Sequence, residues 1–227
     1  MNRLVIAILA LLAVPALATG RESFRAQGNE PSWSMRMNDG MIMFKPLDGD
    51  PVSVTPIPTP RQEGNAEIYE AKVGDISFTL TIMDKICSDA MSGMPFPQSV
   101  ALAFGDTTFS GCGGEPATLL HGQWLIIEID GKPTITGSSP TVNFESDGKI
   151  SGNATCNRFF GGYTLSGEGL TASDLGASMM MCEQELMDQE MNILQILKEL
   201  AGFGIGDDDK LILRTDRGRS IIAIPAT

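Results

Sequence analysis

Gly152-Asn153-Ala154-Thr155-Cys156-Asn157-Arg158-Phe159-Phe160-Gly161-Gly162-Tyr163 is the stretch around which the second half of this chain is laid out. Its glycines, Gly152, Gly161 and Gly162, permit bends and close backbone approach. Asn157 tolerates unusual φ and can bond its own backbone, while Phe159 and Tyr163 supply core area. Downstream, Met179-Met180-Met181-Cys182 precedes a helical pattern, and a bridge from Cys156 to Cys182 would tie the stretch to the helix start. No histidine or carboxylate lies within it. The stretch therefore reads as a bent, glycine-eased strand that pins the helix onto a sheet, with a ligand groove lined by the same residues as the alternative.

Working outward, the apolar period after Cys182 turns helical. Met187, Met191, Leu194, Leu197 and Ala201 fall on one face, Ile193, Ile196 and Leu200 widen it, and Glu183, Glu185, Asp188 and Glu199 lie largely outside it. Gly202 and Gly204 are expected to stop the helix. Strands are predicted at 124–129, ending in Asp130-Gly131-Lys132, at 141–144 and 149–151 across Ser146-Asp147-Gly148, and at 210–214 and 220–224 across Asp216-Arg217-Gly218. This half is predicted to be α+β, one amphipathic helix on a strongly bent antiparallel sheet.

The first half has no convincing helical period. Strands at 32–37 and 41–45 flank Asn38-Asp39-Gly40, strands at 67–73 and 75–83 turn at Gly74, and strands at 99–104 and 107–110 turn at Gly105-Asp106. Pro51, Pro56, Pro58 and Pro60 deny donors to a central ladder, so residues 51–60 read as an edge or a loop. The composition shift at Glu115-Pro116-Ala117 divides the chain into two predicted domains. Residues 19–115 form an all-β small antiparallel barrel or sandwich, and residues 116–227 the α+β unit.

The N-terminus combines Arg3, an apolar run from Leu4 to Val14, and Ala16-Leu17-Ala18, the three parts of a cleavable secretory signal. Cleavage near Ala18 implies a periplasmic or secreted protein with no membrane span after processing, since a span needs about 20 apolar residues. The formal net charge is −12 and becomes one unit more negative without Arg3. That sign repels phosphate backbones and anionic surfaces and disfavours nucleic acid as a partner. Cys87, Cys112, Cys156 and Cys182 all lie beyond the signal, and an even count in an oxidising compartment points to disulfides. Three connectivities can be drawn. Spacing suggests Cys87 with Cys112 and Cys156 with Cys182, each closing a loop of about 26 residues and contributing roughly 3 to 4 kcal/mol on the chain-entropy model. The close Cys-x-x-Cys spacing of a redox or metal pair is absent.

Two resemblances follow from these residues. Leu120, Gly122, Trp124, Pro140, Phe144, Gly148, Ser151-Gly152, Cys156-Asn157-Arg158-Phe159, Gly162-Tyr163, Leu170, Met180 and Cys182, with the helix from Glu185, resemble a META domain of the type found in heat-inducible bacterial envelope proteins. The resemblance spans about 119–224. It makes Gly152, Cys156, Asn157, Arg158, Phe159, Gly162, Tyr163 and Met180 the family motif and implies envelope stress, including tolerance of some antibiotics, with no established catalysis. Ser178 stands where family members often carry threonine, and keeps the hydroxyl. In the first half, Gly28-Asn29-Glu30-Pro31-Ser32-Trp33 and the loop Cys87-Ser88-Asp89-Ala90-Met91-Ser92-Gly93 resemble an uncharacterised family of bacterial envelope proteins, over about 24–114. Pro31 and Trp33 need no ligand to explain them. Ser88, Asp89, Met91, Ser92 and Gly93 are the candidate contact loop for another protein.

Catalytic chemistry lacks material. His121 is the one histidine, no nucleophile elbow or phosphate loop is present, and Asp207-Asp208-Asp209 lacks the alternating spacing of a calcium loop. No catalytic residue, resident cofactor or metal is assigned. Met35, Met37, Met41 and Met43 alternate across the first hairpin, so all four could face one side; core packing is the plain reading and soft Cu(I) ligation the alternative. The sequence thus predicts an exported, non-enzymatic envelope protein that acts in stress tolerance by binding an envelope protein or small ligand. A periplasmic inhibitor of a hydrolase such as lysozyme is the second reading, and Met-based Cu(I) binding the third.

Overall fold

Turn residues set the strand plan. The computed structural model describes residues 23–206 and 208–226, so the expected signal segment 1–18 and Asp207 lie outside the described residues. The first half runs β1 (Ser23–Asn29), β2 (Ser32–Asn38), β3 (Met41–Pro46), β4 (Val52–Val54), β5 (Arg61–Glu63), β6 (Ala66–Val73), β7 (Ile76–Met83), β8 (Cys87–Ser88), β9 (Pro95–Phe96), β10 (Gln98–Phe104) and β11 (Thr107–Gly113). Apart from the small β8-β9 ladder these form one sheet, ordered β4-β3-β2-β1-β11-β10-β7-β6-β5. It curls until β4 lies against β6, giving a half-barrel. The predicted hairpins at Asp39-Gly40, Gly74 and Gly105 are present, and the proline-rich segment supplies edge strand β4 followed by loop.

Alternation decides what each strand buries. On β2 and β3, Trp33, Met35, Met37, Ile42 and Phe44 point inward, and Phe44 meets Phe109 edge-on with ring centroids 4.9 Å apart. Trp33 completes its burial by donating from Nε1 to the Ser110 carbonyl at 3.0 Å. Strand β1 was not predicted, because its inward positions Phe24, Ala26 and Gly28 include two small residues that leave no visible hydrophobic period. It nonetheless joins β2 to β11 at the centre of the sheet.

The hairpin register corrects one expectation. It pairs Met35 with Phe44, Arg36 with Met43, Met37 with Ile42 and Asn38 with Met41. Paired residues share a face, so Met35 and Met37 lie in the core while Met41 and Met43 lie on the opposite side. The two-residue turn matches odd positions of β2 with even positions of β3, and a four-thioether site is not formed.

The second half begins with a 3-10 turn, Pro116–Leu119, and continues through β12 (Gly122–Ile129), β13 (Lys132–Pro133), β14 (Thr141–Phe144), β15 (Lys149–Asn153), β16 (Arg158–Ser166), β17 (Gly169–Ala177), α1 (Gln184–Lys198), β18 (Leu200–Ile205), β19 (Leu211–Thr215) and β20 (Ser220–Pro225). The order is β17-β16-β15-β14-β12-β20-β19-β18, with β13 paired to β12. Strands β17 and β18 come against each other, so the sheet is nearly a barrel, and α1 packs across β17 and β20. No described helix is long and apolar enough to cross a membrane.

Two further expectations change. Helix α1 buries Gln189, Ile193, Ile196 and Leu197, whereas Met191 is 64% exposed. The inward stripe is rotated from the predicted one: two overlapping apolar periods compete on this helix, and the branched aliphatic set fits the barrel core. The helix ends at Lys198, and Leu200–Ile205 is strand β18, where Gly202 sits at a bulge instead of stopping a helix. The opening stretch is likewise not one bent strand. Strand β15 ends at Asn153, residues 154–157 turn with the Ala154 N–H donating to the Asn157 carbonyl at 2.8 Å, and β16 begins at Arg158. Gly152 is required there, because a Cβ would lie 2.1 Å from the Thr141 carbonyl oxygen.

Each sheet encloses its own hydrophobic cluster. Met94, just before β9, and partly buried Phe96, within β9, pack into the core of the second half although they precede it in the chain.

Candidate functional site

The family motif assembles at the turn between β15 and β16. Asn157 is 4% exposed and anchors two other elements. Its Oδ1 accepts from the Met180 N–H at 2.7 Å and from the Ser178 hydroxyl at 2.8 Å, and its Nδ2 donates to Glu190 Oε1 at 3.0 Å and to the Met180 carbonyl at 3.2 Å. The Asn157 backbone N–H donates to Glu190 Oε2 at 2.6 Å. One asparagine thereby joins the turn, the approach to α1 and α1 itself. The Cys156–Cys182 disulfide closes the same junction covalently, with Cα atoms 6.1 Å apart. Ser178 also accepts from the Arg158 N–H at 3.3 Å, the work for which a hydroxyl is needed at this position.

Beside it, Thr155 holds φ at +116°, and its Oγ1 accepts from Gln189 Nε2 at 2.8 Å. Gln189 Nε2 also donates to the Ser138 hydroxyl at 3.0 Å, and Oε1 accepts from the Ile135 N–H at 2.8 Å. Sequence reasoning missed Gln189 and Glu190. A buried-stripe position occupied by glutamine four residues before Ile193 was the available signal for the first; nothing local marked the second.

The remaining motif residues divide between core and surface. Phe159 is buried, and Tyr163 packs edge-on against Phe144 at 5.2 Å while its hydroxyl donates to the Glu145 carbonyl at 2.8 Å. Partial burial, and then the charge of Asp147, raise the Tyr163 phenol above its ordinary pKa. Gly162 pairs with Lys149 in the β15-β16 ladder. Arg158 is exposed, and the Met180 side chain is 59% exposed above its pinned backbone. Polar groups at the junction are matched to one another, which suits a scaffold.

The Cys87 loop is built differently. The Cys87–Cys112 disulfide, with Cα atoms 5.4 Å apart, and the β8-β9 ladder close its base. Asp89, expected among the contact residues, points inward instead and is 7% exposed. Its Oδ1 accepts from the Ser92 N–H and hydroxyl, both at 2.8 Å, and from the Met91 N–H at 3.1 Å, while Oδ2 accepts from Asn29 Nδ2 at 2.9 Å. The Ser92 N–H, followed by the other donors, holds the Asp89 carboxyl below the usual carboxylate range against an opposing effect of burial. An aspartate two residues before the donated amide is an ordinary turn signal, and it accounts for the inward orientation. Ser88, Met91, Ser92 and Gly93 remain exposed, Met91 at 82%. The loop borders a cleft of about 540 Å³ between the two sheets, shared with Arg25, Phe96, Glu115, Leu165 and Ser166.

Among the described residues, no three or more His, Cys, Asp or Glu side chains are grouped to hold a metal ion. His121 lies exposed beside Gly122, and Asp208 pairs with Lys210 at the hairpin end.

Comparison with known proteins places the junction in context. A sequence profile of the META domain matches residues 117–227. Over 86 residues the chain is 35% identical to heat shock protein HslJ of Escherichia coli (strain K12), covering 37% of this chain and 61% of that protein. The chain therefore spans about three fifths of that relative's length. An NMR structure of a protein from Burkholderia xenovorans is 24% identical with a TM-score of 0.41, covering 49% of this chain and 86% of the other. A second NMR structure is 30% identical with a TM-score of 0.41, covering 48% and 94%. The second half of this chain, residues 117–227, is a META domain.

Proposed function

We propose that this protein is an exported, non-enzymatic component of the bacterial envelope that contributes to stress tolerance by binding. Its two units are residues 19–115 and the META domain, and the Cys87 loop is the recognition element. The secretory signal read in the sequence, the two disulfides and the heat shock name of the related protein support the setting. The single histidine in the whole chain supports the non-enzymatic reading.

One observation carries the binding role: Met91 stands 82% exposed at a loop tip fixed by a disulfide and by the buried Asp89. The loop backbone is fixed beforehand and loses little freedom when a partner covers it, so the apolar area of Met91 has chiefly the ordering of its own side chain to offset. Replacing Met91 by aspartate leaves the backbone donors to Asp89 in place. Co-purification from envelope extract with the intact chain tests the proposal: a partner retained by the wild type is lost with M91D. Turnover of a small substrate, abolished by one point substitution, overturns it.

The same rigid tip supports a second reading, inhibition of a periplasmic hydrolase such as lysozyme. Stoichiometric inhibition that disappears with M91D supports that reading, and undiminished lysozyme activity in excess protein removes it.

A further inference from the structure

The outer face of the META sheet carries an ordered polar array that neither the motif junction nor the Cys87 loop uses. Strand pairing sets Gln123 against Asn143, Asn143 against Ser151, and Ser151 against Phe160. These four side chains form one transverse row across β12, β14, β15 and β16. Two residues along the strands, Asn153 pairs with Arg158 and extends a second row on the same face. The rows line a shallow depression of about 660 Å³.

Most of these polar side chains are left free by the rest of the protein. Among the described residues, no hydrogen bond or ion pair occupies the Gln123 amide, the Ser151 hydroxyl or the Arg158 guanidinium. Asn143 makes one long contact of 3.4 Å to Glu145, and Asn153 uses only its Oδ1, accepting from the Thr155 N–H at 3.1 Å. Phe160 is 64% exposed, and its ring lies over Gly176, where a Cβ would meet ring carbons at 3.1 and 3.2 Å. A side chain at position 176 would push the ring off the sheet. With glycine there, the ring rests on the backbone and offers its other face to solvent. No acidic side chain lines the depression, although the chain carries a net charge of −12.

An aromatic face beside a line of amides and a hydroxyl, with one unpaired guanidinium, matches the chemistry of a carboxylate-bearing sugar. The apolar C–H face of a pyranose ring covers an aromatic face, ring hydroxyls need donors and acceptors at short intervals, and a carboxylate suits arginine's forked donors. The row crosses three strand spacings, about 14 Å, which accommodates a short oligosaccharide better than a single sugar. We infer that this face of the META domain binds an acidic oligosaccharide, with Phe160 as the stacking platform, Ser151, Asn143 and Gln123 as the hydroxyl-reading row, and Arg158 as the carboxylate partner.

The test is an NMR titration of the isotope-labelled full chain with two probes. One is the tetrasaccharide of alternating N-acetylglucosamine and N-acetylmuramic acid, which carries carboxylates, and the other is chitotetraose, which does not. Saturable shifts confined to β14, β15, β16 and Gln123 are expected, with the acidic probe binding more tightly. F160A lowers affinity for both probes by about tenfold or more, and R158Q lowers it by about tenfold for the acidic probe alone. S151A, a small change on the same row, weakens both and guards against a folding artefact in F160A. The inference is overturned by the absence of saturable shifts with either probe, by shifts centred elsewhere, by chitotetraose binding as tightly as the acidic probe, or by wild-type affinity in F160A and R158Q.

Discussion

Replacing Asn157 by alanine removes four side-chain hydrogen bonds at once while leaving the Cys156–Cys182 bridge intact. Neutral bonds contribute about 0.5 to 1.5 kcal/mol each and a bond to a charged group about 1.5 to 3 kcal/mol, so the group is worth roughly 3 to 7 kcal/mol if its members were independent. They share one side chain, and water can reach the partly exposed Glu190 and the exposed Ser178, so the low end, about 3 kcal/mol, is the expected loss. With a urea dependence of about 1.5 kcal/mol/M for a unit of this size, the midpoint falls by about 2 M. The molecule supplies a convenient assay, because each sheet holds one tryptophan whose indole N–H is fixed: Trp33 donates to Ser110 at 3.0 Å and Trp124 to Leu120 at 2.8 Å. Following both indole signals by NMR through a urea titration reports the two sheets separately. The Trp124 transition should move by the stated amount and the Trp33 transition by clearly less. A Trp124 midpoint within about 0.5 M of the wild type, less than about 1 kcal/mol at this slope, would refute the view that Asn157 holds helix and sheet together.

Other perturbations separate the parts of the account. Substituting Cys156 and Cys182 together by alanine opens a loop of sequence separation 26 and should cost roughly 3 kcal/mol on the chain-entropy model, read as a lower midpoint of the Trp124 transition; an unchanged midpoint would contradict it. Asp89 has a folded pKa below its unfolded value of about 3.9, so its contribution to the loop is fully present above that pH and is lost as pH falls through the folded pKa. The Met91 and Ser92 amide signals should therefore titrate with a midpoint below about 3.9, and the transition should vanish in D89N; a midpoint at or above that value would contradict the hydrogen bonding described.

Much of the β architecture was legible because Gly, Asp-Gly and Pro residues punctuate it. Gly40, Gly74, Gly105, Gly131, Gly148 and Gly218 all hold positive φ at turns where hairpins were predicted or strands were expected to end. What escaped was decided by tertiary contact. Strand β1 exposes Ser23, Arg25 and Gln27 and buries Phe24, Ala26 and Gly28, a pattern too weakly apolar to declare itself. On α1, Met187, Met191 and Leu194 fit a helical period as well as Gln189, Ile193, Ile196 and Leu197 do, and only the barrel interior distinguishes them. The motif residues were recognised, yet Asn157 takes its meaning from Glu190, thirty-three positions along the chain, which no local pattern reveals. Register, in turn, separated Met35 and Met37 from Met41 and Met43.

The same separation of roles sets the central expectation: the motif junction holds the META domain together, and recognition of a protein partner belongs to the exposed loop. The most direct measurement is site-specific photo-crosslinking in living cells, with a photoreactive amino acid placed at Met91 and, as a control, at Asp39, an exposed turn residue on the first sheet. The account predicts a discrete higher-mass adduct from position 91 and none from position 39. No adduct from position 91, or the same adducts from both positions, would contradict it.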